Sequence, residues 1–252
     1  MSNVGYDKAG KPGCAVIFGA SGGIGAALCE SLAADGTGTI FAGSRNGDAV
    51  AGDTTIPFRF DLRDEDSIAA AATLVKEHQP DLAPDLVVVA TGVLTLSNGT
   101  GPERSYRALD GASMAEVLHL NTIGPAMIAK HFLPLLPRDR RAIFAALSAR
   151  VGSISDNGLG GWHSYRASKA ALNMLIKNFG IELGRTHKQA VVAALHPGTV
   201  DSDLSKPFQS NLPDGQLTKP VAAARNLLRT LNGLTPSDSG GLFAFDGSRI
   251  EP

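Results

Sequence analysis

The sequence predicts an α/β fold in which a doubly wound, parallel, seven-stranded sheet carries helices on both faces. Short apolar runs alternate along the chain with longer Ala- and Leu-rich stretches of helical spacing, which is typical of right-handed β-α-β crossovers. The apolar runs are continuous, as expected of parallel strands that are buried on both faces. Ligands of such sheets bind beyond the carboxyl ends of the strands, so functional residues are expected in the segments that follow each strand.

The seven predicted strands are short apolar runs at residues 14–18, 39–42, 56–60, 86–90, 142–147, 190–195 and 242–245. The five predicted helices are stretches of helical spacing at residues 24–34, 66–78, 113–136, 165–184 and 221–232. No repeat, low-complexity tract or Pro- and Ser-rich linker divides the chain. We therefore expect one domain over residues 13–252, preceded by a flexible segment at residues 1–12.

Composition and charge exclude several classes of protein. Of the 252 residues, 43% are hydrophobic and 19% are charged, which suits a two-sided buried sheet and excludes a disordered chain. The 23 Lys and Arg nearly balance the 24 Asp and Glu, so no global field attracts nucleic acid or anionic lipid. Cys14 and Cys29 join no metal-ligand cluster, and the sequence has neither a membrane-spanning run nor a signal peptide. We expect a cytoplasmic protein without a metal, nucleic-acid or membrane partner.

Glycines cluster between the first strand and the first helix. Gly19, Gly23 and Gly25 have the spacing G-x-x-x-G-x-G, with Ser21 inside the turn and Ile24 at the start of the helix. Residues without a Cβ permit a tight turn and a close approach of a pyrophosphate to backbone N–H groups at a helix N-terminus. The segment therefore predicts a dinucleotide site on a Rossmann fold.

This glycine spacing resembles the fingerprint of the short-chain dehydrogenase/reductase family, and the resemblance extends over about residues 13–247. The resemblance implies a bound nicotinamide dinucleotide. An acidic residue after the second strand would bind the ribose hydroxyls of NAD, but the chain has Ser44 and Arg45 there, which suit the 2′-phosphate of NADP. The alternative is that Arg45 is a solvated loop residue. We expect NADP, with NADPH preferred and NAD as the other option.

Two further segments resemble family sites for the adenosine half of the cofactor. Asp61 and Leu62, after the third strand, are similar to the pair that contacts adenine, although Asp61 could instead cap the next helix. Ala90, Thr91 and Gly92, after the fourth strand, occupy the place of the family's Asn-Asn-Ala-Gly segment and lack both asparagines. The resemblance implies that the backbone of this segment still passes the ribose.

After the sixth strand, Pro197 and Gly198 begin a segment that resembles the one that positions the nicotinamide carboxamide. The resemblance implies contacts through the backbone at Val200 and through the hydroxyl of Thr199 or Ser202.

Tyr165 and Lys169 are four residues apart in a predicted helix and therefore lie on one face of it. A phenol, with a reference pKa near 10, becomes a useful acid or base at neutral pH when an ammonium stabilises the phenolate. The resemblance implies that Lys169 also holds the nicotinamide ribose. It further matches Asn121 to the family's helix asparagine, whose side chain or backbone kink anchors a water that links the lysine to solvent.

Ser148, at the end of the fifth strand, is expected to donate its hydroxyl to the substrate carbonyl oxygen. The family commonly has Ser-Ser-x-x-Gly here, whereas this chain has Leu-Ser-Ala-Arg-Val-Gly. Alignment on the strand selects Ser148, alignment on Gly152 selects Ala149, and Ser153 is the reserve candidate.

These features predict an NADP-preferring enzyme that transfers a hydride between the nicotinamide and a small carbonyl or secondary alcohol. The segment at residues 150–169 is most similar to the C-factor and sniffer-type carbonyl reductase subgroup. The alternative is a nucleotide-bound regulatory or signalling protein that keeps the fold with little turnover. The long helices at residues 113–136 and 165–184 are more apolar than one sheet face requires, which predicts a homodimer or homotetramer.

Overall fold

A computed structural model of the chain describes residues 11–48, 52–211 and 215–252. Its strands are β1 (Cys14–Phe18), β2 (Thr39–Ser44), β3 (Thr55–Arg59), β4 (Leu86–Val89), β5 (Ala142–Leu147), β6 (Ala190–His196), β7 (Thr199–Val200), β8 (Leu217–Thr218), β9 (Gly241–Ala244) and β10 (Arg249–Ile250). Its α-helices are α1 (Gly23–Ala34), α2 (Glu65–His78), α3 (Gly111–Leu118), α4 (Gly124–Phe132), α5 (His163–Leu183) and α6 (Pro220–Gly233). Short 3₁₀ helices lie at Tyr106–Ala108, Leu133–Leu135, Arg150–Gly152, Lys206–Asn211 and Pro236–Asp238.

The main sheet has the strand order β10-β9-β6-β5-β4-β1-β2-β3, and β7 pairs with β8 in a separate two-stranded sheet. All pairings from β3 across to β9 are parallel, which confirms the seven predicted parallel strands. An eighth strand, β10, is antiparallel and only two residues long, so it has no hydrophobic pattern from which it could be predicted. The strand order reverses on either side of β1, and ligands of such sheets bind at this switch point.

Buried side chains form one layer on each face of the sheet, as predicted for a doubly wound fold. Phe18 and Phe144 belong to the layer under α2, α4 and α5, whereas Ile17 and Ile143 belong to the layer under α1 and α6. Phe18 packs edge-on against Phe132 of α4, with ring centroids 4.9 Å apart. Neighbouring residues of one strand serve opposite layers because side chains alternate across a strand.

The predicted helix at residues 113–136 is not one continuous α-helix. A π-helical turn at His119–Ile123 separates α3 from α4, and the Gly124 N–H donates to the His119 carbonyl, five residues earlier. Pro125 has no N–H to donate to the carbonyl four residues earlier, that of Asn121, so regular α-helical bonding is interrupted at this point. The interruption places Asn121 on a kink of the backbone.

Of the predicted flexible segment at residues 1–12, residues 1–10 lie outside the part of the chain that the structure describes. Among the described helices, none has the length and apolar character needed to cross a membrane.

Candidate active site

A cleft of about 570 Å³ opens at the carboxyl ends of the central strands. Most of the predicted site residues line this cleft: Ser21, Gly23, Ile24, Arg45, Ala90, Thr91, Gly92, Ser148, Tyr165, Lys169, Pro197, Gly198, Thr199 and Val200. The other predicted site residues lie outside the lining: Gly19, Gly25, Ser44, Asp61, Leu62 and Asn121. The sheet topology therefore brings together segments that are more than 150 residues apart in the sequence, as is shown by Ser21 and Val200.

The glycine-rich turn has the geometry of an anion-binding loop. Gly19 adopts a positive φ of 90°, and its N–H donates to the Gly43 carbonyl of β2. A Cβ at Gly25 would lie 2.1 Å from the Gly19 carbonyl oxygen, so only glycine lets α1 pack this closely on the turn. No side chain caps the start of α1, and the N–H groups of its first turn therefore remain available to a ligand.

Two buried polar atoms on the cleft wall also fit a bound ligand. Thr91 Oγ1 and His196 Nδ1 have no hydrogen-bond partner among the residues that the structure describes. Burial lowers the pKa of His196 to about 4, so its imidazole is neutral at neutral pH. Buried polar groups are normally hydrogen-bonded, and the two atoms together with the open helix N-terminus suit the hydroxyl-rich and phosphate-bearing nicotinamide dinucleotide.

At the expected 2′-phosphate corner, Ser44 and Arg45 have different environments. The Ser44 hydroxyl is buried, donates to Asp48 Oδ1 at 3.0 Å and accepts from the Asp48 N–H at 3.1 Å. Arg45 lies on the cleft wall, and its carbonyl accepts a 3.2 Å hydrogen bond from Arg59 Nε. Sequence reasoning missed Arg59, which reaches this corner because β3 pairs Arg59 with Ser44.

The structure of the segment after β3 distinguishes the two roles considered for Asp61, contact with adenine and capping of α2. The cap of α2 is Asp64, whose carboxylate accepts from the Asp66 and Ser67 N–H groups. Asp61 Oδ1 accepts from the Arg63 N–H at 2.9 Å within its own turn. Asp61 is therefore not the residue that caps α2.

Leu62 links this segment to the start of α4. A Cβ at Gly124 would lie 2.7 Å from Leu62 Cβ, so the glycine leaves the room that the leucine fills. His119 Nε2 also contacts the Leu62 carbonyl at 3.2 Å. The loop expected at the adenine is thus fixed against the kinked helix that carries Asn121.

In the segment after β6, the structure distinguishes the two candidate hydroxyls. Ser202 Oγ donates to the Val200 carbonyl at 3.3 Å, whereas no contact of this kind holds the Thr199 hydroxyl among the described residues. Gly198 has a φ of 77°, which turns the chain away from β6 into β7. Thr199 is therefore the hydroxyl of this segment that is available to a ligand in the cleft.

Tyr165 and Lys169 lie on the first two turns of α5 and are buried together, with 8% and 3% of their surfaces exposed. Lys169 Nζ is 5.8 Å from the centroid of the Tyr165 ring and donates to the Leu147 carbonyl at 2.9 Å. Burial raises the pKa of Tyr165 to about 12 and lowers the pKa of Lys169 to about 8. At neutral pH the pair is therefore a neutral phenol, able to give a proton, beside an ammonium.

The Asn121 side chain holds the segment after β4 against α5. Its Oδ1 accepts from the Val93 N–H at 2.8 Å, and its Nδ2 donates to the Val93 carbonyl at 2.9 Å and to Ser168 Oγ at 3.1 Å. A Cβ at Gly92 would lie 3.4 Å from both Asn121 Oδ1 and Lys169 Nζ, so Gly92 lies between these two side chains. Both N–H groups of the Asn121 amide are thus used by protein groups, whereas Oδ1 accepts one hydrogen bond and can accept a second.

Ser148 lines the cleft, but its hydroxyl is directed into the protein. Ser148 Oγ donates to Asn173 Oδ1 at 2.7 Å, and Asn173 Nδ2 donates to the Gly152 carbonyl at 3.3 Å. A serine hydroxyl has one hydrogen, so this contact leaves none for a substrate oxygen. The role expected of Ser148 from the sequence stays a prediction, and it requires the hydroxyl to turn from Asn173 toward the cleft.

The two alternatives to Ser148 have separate surroundings. Ser153 lies outside the cleft lining and donates to the Glu251 carbonyl near the end of the chain. Ala149 lines the cleft and packs with Tyr165 and Leu94. The residue after β5 that packs against the phenol therefore presents a methyl group and not a hydroxyl.

Apolar side chains surround the phenol on the outer side of the cleft. The Trp162 ring is 6.2 Å from the Tyr165 ring and 5.2 Å from the Phe208 ring, and Leu94 and Val151 complete this cluster. No sequence pattern indicated Leu94 or Phe208, because Leu94 lies in a loop and Phe208 in a short 3₁₀ helix. The compartment beside Tyr165 therefore favours an apolar substituent.

Comparison with known proteins agrees with this geometry. The family model described as short chain dehydrogenase matches residues 13–213. The chain belongs to the short-chain dehydrogenase family. A member from Rhodococcus sp. (strain AD45), 1-hydroxy-2-glutathionyl-2-methyl-3-butene dehydrogenase, is 31% identical over 94% of this chain and 98% of its own length. The C-signal protein of Myxococcus xanthus is 34% identical over 64% of this chain and 95% of its own length.

Solved structures of other short-chain dehydrogenase family members have the same fold. The carbonyl reductase Sniffer of D. melanogaster superposes with a TM-score of 0.83 at 23% identity, covering 95% of this chain and 99% of that one. The NADPH-bound carbonyl reductase from chicken fatty liver superposes with a TM-score of 0.82 at 24% identity, covering 96% of this chain and 95% of that one. The resemblance of the sequence to this family is thereby confirmed, and the protein is an oxidoreductase of the NAD(P)-dependent type.

Proposed function

We propose that the protein is an NADP(H)-preferring dehydrogenase/reductase that transfers a hydride between the cofactor and a small carbonyl or secondary alcohol. One observation carries the proposal: a buried phenol and a buried ammonium, Tyr165 and Lys169, share the wall of a cleft whose other end is an open glycine-rich turn. Acid-base chemistry and dinucleotide binding are thereby brought into one cavity.

Each region of the cleft suits a different part of the proposed cofactor. The N–H groups at the start of α1 suit the pyrophosphate, and Arg45 suits a 2′-phosphate. Thr91 Oγ1 and the Lys169 ammonium suit ribose hydroxyls, and Thr199 suits the carboxamide. When bound, NADPH supplies the hydride that turns a carbonyl carbon into an alcohol carbon.

The protein's own part in reduction is to hold and protonate the substrate oxygen. Tyr165 donates its phenolic proton to that oxygen as the new alcohol forms, and the ammonium of Lys169 stabilises the resulting phenolate. A proton then returns from solvent past Lys169 and the kink at Asn121. In the oxidising direction Tyr165 first loses its proton along the same path, and the resulting phenolate accepts the alcohol proton.

The walls of the cleft support a substrate with an apolar substituent on its carbonyl carbon. Leu94, Ala149, Val151, Trp162 and Phe208 surround Tyr165, and they offer contact area and no charge. The names of the similar proteins, a dehydrogenase and carbonyl reductases, also support carbonyl or alcohol chemistry.

A second copy of the chain is the proposed partner. A groove of about 490 Å³ between α4 and α5 is lined mainly by apolar side chains. Met174 and Ile181, seven residues apart on α5, leave 62% and 53% of their surfaces exposed. Burial of the groove and of these two side chains against a second copy of the chain would give the homodimer or homotetramer expected from the sequence. The cytoplasmic location also stays a prediction.

A regulatory or signalling role is the second candidate function. The observation in its favour is that Ala149, the position that alignment on Gly152 selects for the family's serine, packs a methyl group with Tyr165. The similarity to the C-signal protein is compatible with this role.

One experiment separates the two functions. NADPH oxidation is followed with the purified protein over a panel of aldehydes, ketones and quinones, with the Tyr165→Phe variant as the control. Turnover that depends on Tyr165 supports the enzyme. Tight NADPH binding without turnover of any member of the panel supports the regulatory role.

A further inference from the structure

The catalytic helix α5 is capped by a side chain from a distant loop. The residue at its own N-cap position, Trp162, makes no side-chain cap. Glu103, 61 residues before Ser164 in the sequence, accepts from the Ser164 N–H at Oε2 (3.1 Å) and from the Ser164 hydroxyl at Oε1. One carboxylate thus takes up two donors of the first turn of α5.

The charge of Glu103 suits this position. Its side chain is nearly buried, with 9% of the residue exposed. Burial acts to raise the pKa of the carboxyl, but the hydrogen bonds from Ser164 and from the Glu103 backbone, together with His163, leave the pKa below its usual value. The group is therefore a carboxylate at neutral pH, and a negative charge at a helix N-terminus is favourable.

Glu103 also holds the backbone that leads into α5. Gly160, Gly161 and Trp162 adopt positive φ values of 64°, 66° and 51°, and such a conformation is costly for a tryptophan. The Trp162 N–H donates to the Glu103 carbonyl, so the loop around Glu103 stabilises this strained turn. Trp162 in turn packs edge-on against Tyr165.

We propose that Glu103 is a positioning residue for Tyr165: by capping α5 from the loop that follows β4, it fixes the place of the phenol and of the Trp162 ring beside it. This inference rests on the proposed function, in which Tyr165 is the acid-base group. Sequence reasoning left the loop at residues 97–110 without a role, because a cap supplied from so far away has no local spacing to reveal it.

The position of Lys169 depends on other contacts. Lys169 lies one turn further along α5, and its ammonium is held by the Leu147 carbonyl at the end of β5. Arg166 ties the same stretch of helix to the Val151 carbonyl at 3.2 Å. Loss of Glu103 is therefore expected to displace Tyr165 and to leave cofactor binding by Lys169 in place.

The test compares three variants of the full chain. Glu103→Ala removes the cap, and Glu103→Gln keeps an amide oxygen for the Ser164 N–H and an amide N–H₂ group for its hydroxyl. Glu116→Ala is the matched control, because it removes a carboxylate that is ion-paired with Arg63 on the protein surface. The measurements are kcat, the Kd of NADPH, hydrogen exchange at residues 163–169, and the emission of Trp162, the only tryptophan of the chain.

The expected results distinguish positioning from general destabilisation. Glu103→Ala lowers kcat by about tenfold or more, within the ~10²-fold that an ångström of misplacement costs. It also speeds hydrogen exchange at residues 163–169 and shifts the emission of Trp162 to the red. The Kd of NADPH stays within about twofold of the wild-type value, which is too small a change to indicate a lost contact with the cofactor. Glu103→Gln retains most of the turnover, and Glu116→Ala behaves as wild type.

Three results would overturn the inference. Exchange and emission unchanged in Glu103→Ala would show that Glu103 is no cap. A kcat equal to that of wild type despite faster exchange would show that the cap does not position Tyr165. A parallel loss of NADPH affinity would show a general structural defect. Absence of turnover in the wild type contradicts the proposed function instead, and the exchange data then still decide whether Glu103 caps α5.

Discussion

Ser148 donates its only hydroxyl hydrogen to Asn173 Oδ1, 2.7 Å away on α5. The contact joins the end of β5 to the helix that carries Tyr165 and Lys169, and it competes with a substrate oxygen for the hydrogen of Ser148. The next residue, Ala149, packs its methyl group against Tyr165. In this arrangement the phenol is the hydroxyl proposed to donate to the substrate oxygen.

The first test replaces the side chains at positions 148 and 149, one at a time. Ser148→Ala leaves Asn173 Oδ1 without its donor and is expected to lower the free energy of unfolding by about 1–3 kcal/mol, with turnover reduced less than about tenfold. Ala149→Ser places a hydroxyl beside Tyr165 and is expected to raise kcat/KM. Ser153→Ala is the control that leaves turnover unchanged. A loss of ~10²-fold or more in Ser148→Ala at unchanged stability would instead establish Ser148 as the oxygen donor.

Removal of the phenolic hydroxyl is expected to abolish chemistry and spare binding. Tyr165→Phe keeps the ring and its contact with Trp162 but deletes the proton donor, so kcat falls by about 10²–10⁴ while the Kd of NADPH is unchanged. Lys169→Ala, which removes the ammonium proposed to hold the ribose, is expected to damage both quantities. Steady-state kinetics and fluorescence titration with NADPH measure them. A Tyr165→Phe variant with wild-type turnover would exclude Tyr165 as the acid-base group.

Cofactor preference is expected to depend on Arg45. Arg45→Ala removes the cation on the cleft wall. The binding free energy of NADPH should become less favourable by about 1–3 kcal/mol, because a charge-assisted contact to the 2′-phosphate is lost. NADH has no such phosphate, and its Kd is the internal control. Calorimetric titration of both cofactors gives the result. Equal weakening of NADPH and NADH would show that Arg45 does not recognise the phosphate.

The buried ammonium of Lys169 is expected to make the stability of the apoprotein pH-dependent. Burial lowers the pKa of Lys169 to about 8 from its ordinary value of 10.5. Between these pH values the unfolded chain holds a proton that the native chain lacks, so the contribution of this residue to stability rises with pH. Lys169→Met should therefore be more stable than wild type at pH 7, by a margin that shrinks between pH 8 and 10.5.

Urea unfolding at pH 7 and pH 9.5 measures that margin. Lys177→Met, on the exposed side of the same helix, is the control and should show the same difference from wild type at both values. A margin for Lys169→Met that is constant with pH would mean that the ammonium is not destabilised by burial.

Self-association is expected to use the apolar face of α5. Ile181→Arg places a charge in the exposed apolar face and should shift the protein to a smaller species in sedimentation velocity. Leu159→Arg, at a fully exposed loop residue, is the control and should leave the assembly unchanged. A wild-type chain that sediments as a monomer at every concentration would contradict the proposed dimer or tetramer.

Local patterns in the sequence determined the architecture and much of the cleft. Apolar runs predicted all seven parallel strands, and they are continuous where a strand is buried on both faces, whereas the edge strand β3 exposes Pro57 and Arg59. The glycine spacing predicted the turn before α1, where Gly25 leaves no room for a Cβ. Tyr165 and Lys169 could be paired because residues four apart lie on one face of a helix wherever that helix packs.

Tertiary structure alone decided which side chains face the cleft. Ser148 and Ala149 both follow β5 and both line the cleft, but only the tertiary structure places Asn173 of α5 where it accepts the hydrogen of Ser148. The cap that Glu103 gives to Ser164 likewise joins two segments 61 residues apart. Contacts of this kind arise from the packing of loops and helices on the finished sheet, and no spacing along the chain encodes them.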